Sequence, residues 1–176
     1  MVDADTTSSS RGLILQQELR AELEQTRRDF HQLLLQIPAD KLDSPSKNQA
    51  WTIREVLYHM SLAPRNLPAD VRMIRHLKWV PRMPAGPFKR LNTYLTRRGA
   101  RNLDKSSLAD KYDQAHQRTM QALDSIQEDE WDFGVQYPDW DPILSGFVTM
   151  EGLFHYIQQH FKAHAAEVLA ALDSDQ

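Results

Sequence analysis

The stretch FHYIQQHFKAHAAEV near the C-terminus carries three histidines, His155, His160 and His164. Imidazole both ligates metals and exchanges protons near neutral pH. His160 and His164 stand at i and i+4, a spacing that puts two side chains on one helical face, one turn apart. Such a pair is a bidentate metal site. Read alone, the pair is a weak signal, and core-edge rings hydrogen-bonded to their neighbours are the commoner reading. With a turn of about 100° per residue and Leu153 as origin, Leu153, Ile157, Phe161, Val168 and Leu172 form the apolar stripe. His160 and His164 border that stripe, near 340° and near 20°. His155 falls near 200° and is expected on the surface.

A third imidazole stands far upstream, in NQAWTIREVLYHM. Thr52 and Glu55 have the S/T-x-x-E form of a capping box, which satisfies free N–H groups at a helix start. On the helix that follows, Val56, Leu57, Met60 and Ala63 make the apolar arc, and His59 lies on its flank. A helix bundle could bring His59 to the His160/His164 pair. Three imidazoles from two helices would make a His₃ site with one coordination position left open, as catalytic metal sites have. Glu167 falls beside His160 on the wheel. Three readings of it stand: a partner orienting an imidazole, a general base on a metal-bound water, or a surface carboxylate paired with Lys or Arg.

These residues need helices to hold them, and helical periodicity dominates the chain. Leu19, Leu23, Phe30, Leu33, Leu34 and Ile37 share one face of a first helix from Leu13, ended by Pro38. A second helix is expected from Ile53, with Pro64 and Pro68 as kinks or an end. The segment WVPRMPAGPF (79–88) breaks the pattern, and 88–100 reads as a short basic helix. Ser107 opens a third long helix to about Ile126, with Leu108, Tyr112, Ala115, Thr119 and Leu123 inward. A loop with Trp131, Tyr137 and Trp140 follows; these aromatics either floor a pocket or seal the bundle. Asp141-Pro142 reads as the cap and first position of the last helix, which runs to about Leu172. No strand pattern is visible. The expected fold is all-α: a four-helix bundle with a long crossover between helices two and three.

The chain has 176 residues and no cysteine, so any thiol chemistry needs a thiol from outside the protein. The opening MVDADTTSSSRG has no apolar run and is no signal peptide. It reads as a disordered tail over 1–12, ahead of one domain over 13–172. No stretch reaches the ~20 apolar residues of a membrane span. A cytoplasmic protein is expected. The formal net charge of −3 argues against general nucleic-acid binding. Charge is uneven, however: between Arg72 and Lys105 ten Lys/Arg face one acid, Asp104. This segment is either a solvated connection or a rim attracting an anionic ligand or membrane surface, with Trp79, Phe88 and Tyr94 available to it. Tyr112 and His116 could line a pocket below the metal, or could be buried groups bonded locally. Thr26 reads as a space-filler in the apolar face of the first helix, and His31 and His76 have no constellation around them.

WTIREVLYHM, followed about a hundred residues on by HFKAHAAEV, resembles the DinB-like superfamily over roughly Leu13 to Leu172. The matching positions are Trp51, Thr52, Glu55, His59, His160 and His164. The resemblance implies a four-helix bundle whose three histidines bind a divalent metal, zinc or nickel. It also implies kinship with transferases and isomerases that use low-molecular-weight thiols such as mycothiol, bacillithiol or glutathione, and it allows a homodimer. Two positions depart from the family pattern: Glu167 replaces a Gln and Val168 an Ile. A further position that often carries His is Ala163.

Two functions follow. One is a metal-dependent enzyme acting on a small-molecule substrate, in which the ion activates a thiol or a water for transfer or hydrolysis, with Glu167 as its catalytic carboxylate. The other is a non-catalytic, stress-related bundle with a structural or vacant metal site.

Overall fold

The computed structural model describes residues 3–47, 50–77, 80 and 84–173, with backbone alone for 3–10. Six helices are described: α1 (Asp3–Gln36), α2 (Ile53–Met60), α3 (Leu62–His76), α4 (Ala85–Ala100), α5 (Lys105–Asp124) and α6 (Met150–Asp173). Helix α1 stops before Pro38, as expected, and its described backbone begins at Asp3. Four rods form the bundle: α1, the α2–α3 pair, α5 and α6. Helix α1 packs on α5 and α6, and α3 packs on the same two from the other side.

Helix α2 begins where the sequence says it must. The Thr52 side chain accepts from the Glu55 N–H while the Glu55 carboxylate accepts from the Thr52 N–H, so both halves of the capping box are made. The rod then breaks at Ser61, whose hydroxyl donates to the Tyr58 carbonyl at 2.6 Å. Pro64 sits in the first turn of α3, where its missing N–H costs nothing. Pro68 lies inside α3 and leaves the Pro64 carbonyl without its helical donor. The Thr119 hydroxyl of α5 supplies one at 2.8 Å, within the buried interface.

That contact also fixes direction. Pro64 meets Thr119, and further along Arg75 meets Ser125, so α3 and α5 run parallel. Parallel neighbours cannot be joined by a tight turn. The chain returns along the bundle through α4, and this is why the crossover is long. Helix α4 begins at Ala85, ahead of the start expected near Phe88, since Pro87 is tolerated in a first turn. It packs on α2 through buried Thr96 and Ala100. A Cβ at Gly99 would collide with the Tyr58 ring, so only glycine allows so close an approach. Phe88 stacks on Trp140 with ring centroids 4.4 Å apart. Tyr94 is exposed. Trp79 lies outside the described residues.

Two further expectations are corrected. Asp104, rather than Ser107, caps α5, accepting from the Ser107 N–H. Asp141-Pro142 does not open the last helix. Asp141 instead closes a turn, its carboxylate accepting from the Ile143 N–H at 2.8 Å, as Asx side chains do outside helices. Gly146, with φ of 75°, then turns the chain into a strand. That strand, β2 (Gly146–Thr149), pairs antiparallel with β1 (Gly134–Tyr137). Alternation over four residues is too short to register against the helical periodicity around it. Helix α6 starts only at Met150, its first turn held by Thr149, which accepts from the Gly152 N–H at 3.1 Å.

The core has two parts, one toward each end of the bundle. One gathers Leu19, Leu23, Val71, Leu123 and Phe154 with Trp131 and Tyr137, which therefore seal that end. The other gathers Phe30, Leu57, Tyr112, Phe161 and Val168. The apolar stripes read from the sequence are buried, except for Ala63 and Leu172, which are part-buried against the core.

Candidate metal centre

His59 on α2 meets His160 and His164 on α6. One ring nitrogen from each histidine falls in a group whose members all lie within 4.8 Å of one another. Ring centroids are separated by 5.0 Å for His59 and His160, 4.9 Å for His59 and His164, and 4.6 Å for His160 and His164. A core-edge histidine of the second rod thus faces an i,i+4 pair of the last helix.

Burial grades the cluster. His160 is 2% exposed, whereas the His164 side chain is 20% exposed. His59 and His164 are both part-exposed, and only His160 is fully buried. Burial, reinforced by the neighbouring imidazole of His164, pushes the pKa of His59 down to about 3. His160 is lowered as well, by burial first and by the other two rings after it. Both rings are therefore neutral, and only neutral imidazole has the lone pair a metal takes.

Does this set fit an ion? The Nε2 atoms of His59 and His160 lie 3.2 Å apart. Two nitrogens on a tetrahedral ion, each at 2.0–2.1 Å, stand about 3.3 Å apart. The Nδ1 atoms of both rings are buried without a hydrogen-bond partner. A cation taking the Nε2 lone pairs would leave each ring's proton on Nδ1, so it is the Nε2 spacing that matches an ion. The residues fit a divalent metal.

The third ligand is held from behind. His164 Nδ1 meets Glu167 Oε2 at 3.1 Å, and the other carboxylate oxygen accepts from Ser46 Oγ at 2.7 Å. Bonding at Nδ1 leaves Nε2 as the nitrogen free to ligate. Ser46 belongs to a loop tied back on itself, with Ser46 N–H to the Trp51 carbonyl at 2.8 Å and Ile53 N–H to the Ser44 carbonyl at 3.0 Å. The same loop lays the Trp51 ring against His59, centroids 4.6 Å apart. On the far side Tyr156 lies 5.3 Å from His160, and its hydroxyl donates to Asp141 at 2.8 Å.

Sequence reasoning found the three histidines and Glu167 but missed Ser46, Tyr156 and Asp141. Tyr156 was findable, since it precedes His160 by four residues. Ser46 carried no signal, because a loop serine has no periodicity. Other candidates lie elsewhere. Tyr112 stacks on Phe30 at 4.0 Å, and His116 meets Glu24 at 3.1 Å rather than a backbone carbonyl. The Thr26 hydroxyl donates to the Glu22 carbonyl. His155 meets the Glu22 carboxylate at 3.0 Å, so it points away from the triad, as expected, but toward α1. His31 pairs with Asp113. Ala163 is exposed.

A sequence model of the DinB superfamily matches residues 22–168. Among solved structures, the mycothiol-dependent maleylpyruvate isomerase superposes with a TM-score of 0.68 at 14% identity over 87% of this chain. The chain spans 60% of that protein's length. YfiT from Bacillus subtilis, described as a probable metal-dependent hydrolase with an unusual four-helix bundle topology, superposes with a TM-score of 0.67 at 18% identity, covering 89% of this chain and 85% of its own. A protein from Streptococcus pneumoniae gives 0.63 at 17% identity, with 88% of each chain covered. No curated protein sequence matches. At these identities the structural likeness speaks for the fold.

Proposed function

The chain belongs to the DinB superfamily, and on that premise we propose that it is a divalent-metal-dependent enzyme whose ion is held by His59, His160 and His164. The observation that carries this reading is the convergence of three ring nitrogens within 4.8 Å from two helices, with a carboxylate behind one of them. Three protein ligands leave a position open for a substrate. A divalent ion in this position, zinc or nickel, lowers the pKa of a bound thiol or water and so supplies a nucleophile near neutral pH.

The protein's own groups divide the remaining work. His59 and His160 stay neutral by burial. Glu167 has both oxygens engaged, so we assign it a positioning role through His164 rather than proton transfer. Ser46 holds Glu167, and Trp51 lies against His59. Since the chain has no cysteine, a thiol nucleophile must arrive as a small molecule. The mycothiol dependence of the isomerase it resembles supports a low-molecular-weight thiol as the first candidate. The description of YfiT as a probable hydrolase supports water as the second.

Elemental mass spectrometry on protein prepared without a histidine tag tests the reading. About one zinc or nickel ion per chain is expected in the parent, and almost none in a His59→Ala/His160→Ala variant. Absence of metal after incubation with both ions would return the protein to the non-catalytic bundle. With metal established, thiol transfer and hydrolysis are separated by assays with and without added thiol.

A further inference from the structure

The second rod, across its break at Ser61, and α5 present matched triplets to one crevice. On the second rod Tyr58, Ser61 and Arg65 stand at i, i+3 and i+7; on α5 Lys111, Gln114 and Arg118 repeat the spacing. Because α3 and α5 run parallel, the triplets face one another in register. They enclose a cavity of about 210 Å³. Its floor is buried Tyr58, Ser61 and Ala115. A second cavity of about 500 Å³ adjoins it, shares Arg65 and Arg118, and adds Arg72.

The charges here are one-sided. Among the described residues no carboxylate lines either cavity, and neither Lys111 nor Arg118 has an ion-pair partner. Arg65 donates only to the Tyr58 hydroxyl, at 3.3 Å, which leaves that hydroxyl's own proton free to donate. Two other cations nearby are occupied: Arg75 is paired with Glu130 at 2.6 Å and Arg97 with Glu55 at 3.8 Å. Three uncompensated cations around one concavity raise the local concentration of anions. The guanidinium fork matches a carboxylate or phosphate geometrically. The cavity is too small for a protein segment or a nucleic acid strand.

We propose that this crevice is a binding site for a small-molecule anion bearing a phosphate or carboxylate group, held by Arg65, Lys111 and Arg118 with the Tyr58 hydroxyl. The site is independent of the metal centre. Tyr58 and His59 are adjacent in sequence and so diverge by about 100° around the helix.

The test is titration of the full chain with sodium phosphate, and separately with sodium succinate, at constant ionic strength set by sodium chloride. Amide chemical shifts and the unfolding midpoint are followed. A saturable response to either probe is expected, and the tighter of the two identifies the preferred head group. Lys111→Ala/Arg118→Ala, both exposed positions, is expected to weaken it roughly tenfold or more, the loss of one or two charge-assisted bonds. Arg98→Ala, a surface cation on α4, and His59→Ala/His160→Ala are expected to leave it intact. No saturation with either probe, or an equal response in the Lys111/Arg118 variant, overturns the proposal. Loss of the response in the histidine variant also overturns it, by moving the anion to the metal centre.

Discussion

At the level of single residues, the informative feature is how unequally the three imidazoles are supported. His59 and His160 have no partner at Nδ1, while His164 has Glu167 and, through it, Ser46. His164 is also far more open to water than His160, so it has the greater need of a fixed orientation. Replacing Glu167 with Gln keeps the shape but removes the charge that makes imidazole a better ligand. Outer-shell changes of this kind typically weaken metal affinity roughly ten- to hundredfold. The expected result for Glu167→Gln is a loss in that range, read by competition with a chromogenic chelator, with a smaller loss for Ser46→Ala. An unchanged affinity in Glu167→Gln would remove the positioning role. The histidines were legible because two rules coincide on them: i,i+4 spacing and a place at the edge of an apolar stripe. Glu167 was legible as a neighbour of His160 on the wheel, but its actual partner is His164. A wheel gives direction and not the rotamer. Ser46 was illegible since its partner lies 121 positions away.

At the level of elements, the second rod shows how a helix survives its own prolines. Pro68 removes one donor and α5 returns it from Thr119, which is fully buried. Thr119→Val keeps the volume and leaves the Pro64 carbonyl buried without a partner, a loss of about 1–3 kcal/mol. A lower urea midpoint is the expected reading, with Thr119→Ser recovering most of it. Equal midpoints for Val and Thr would mean that the carbonyl finds water instead. The sequence announced the start of this rod through Thr52 and Glu55 because a capping box is a local code. It could not announce the start of α6. Asp141-Pro142 suits a helix cap and a tight turn alike, and only pairing with Gly134–Tyr137 decides between them. Pairing across a dozen residues is not a local property.

At the level of the whole molecule, periodicity foretold four rods and the long connection foretold a crossover, but not that α3 and α5 are parallel. Direction follows from contacts such as Pro64 with Thr119, which no composition reveals. The packed bundle also leaves one carboxyl group in an unfavourable place. Burial raises Asp70 from 3.8 to about 6, against a smaller opposing effect from the Tyr137 hydroxyl. The folded protein then holds this proton more tightly than the unfolded chain. Its contribution to stability is intact below about pH 4 and is lost as pH rises through about 6, each tenfold difference in proton affinity between the two states being worth about 1.4 kcal/mol. Asp70→Asn mimics the protonated acid at every pH. The variant is therefore expected to match the parent near pH 4 and to exceed it at pH 7, measured as urea midpoints across that range. A constant difference between the two would show that Asp70 does not titrate in this window.

His59 and His160 stand 101 positions apart, and two of the three rings lie on the last helix. A chain still being synthesised, and released only as far as Met150, carries one imidazole of the three. It lacks two of the imidazoles and also the α6 face on which α1 and α3 pack. Contacts so distant in sequence slow folding. Any ion held by all three rings would therefore have to wait until α6 is added to the chain.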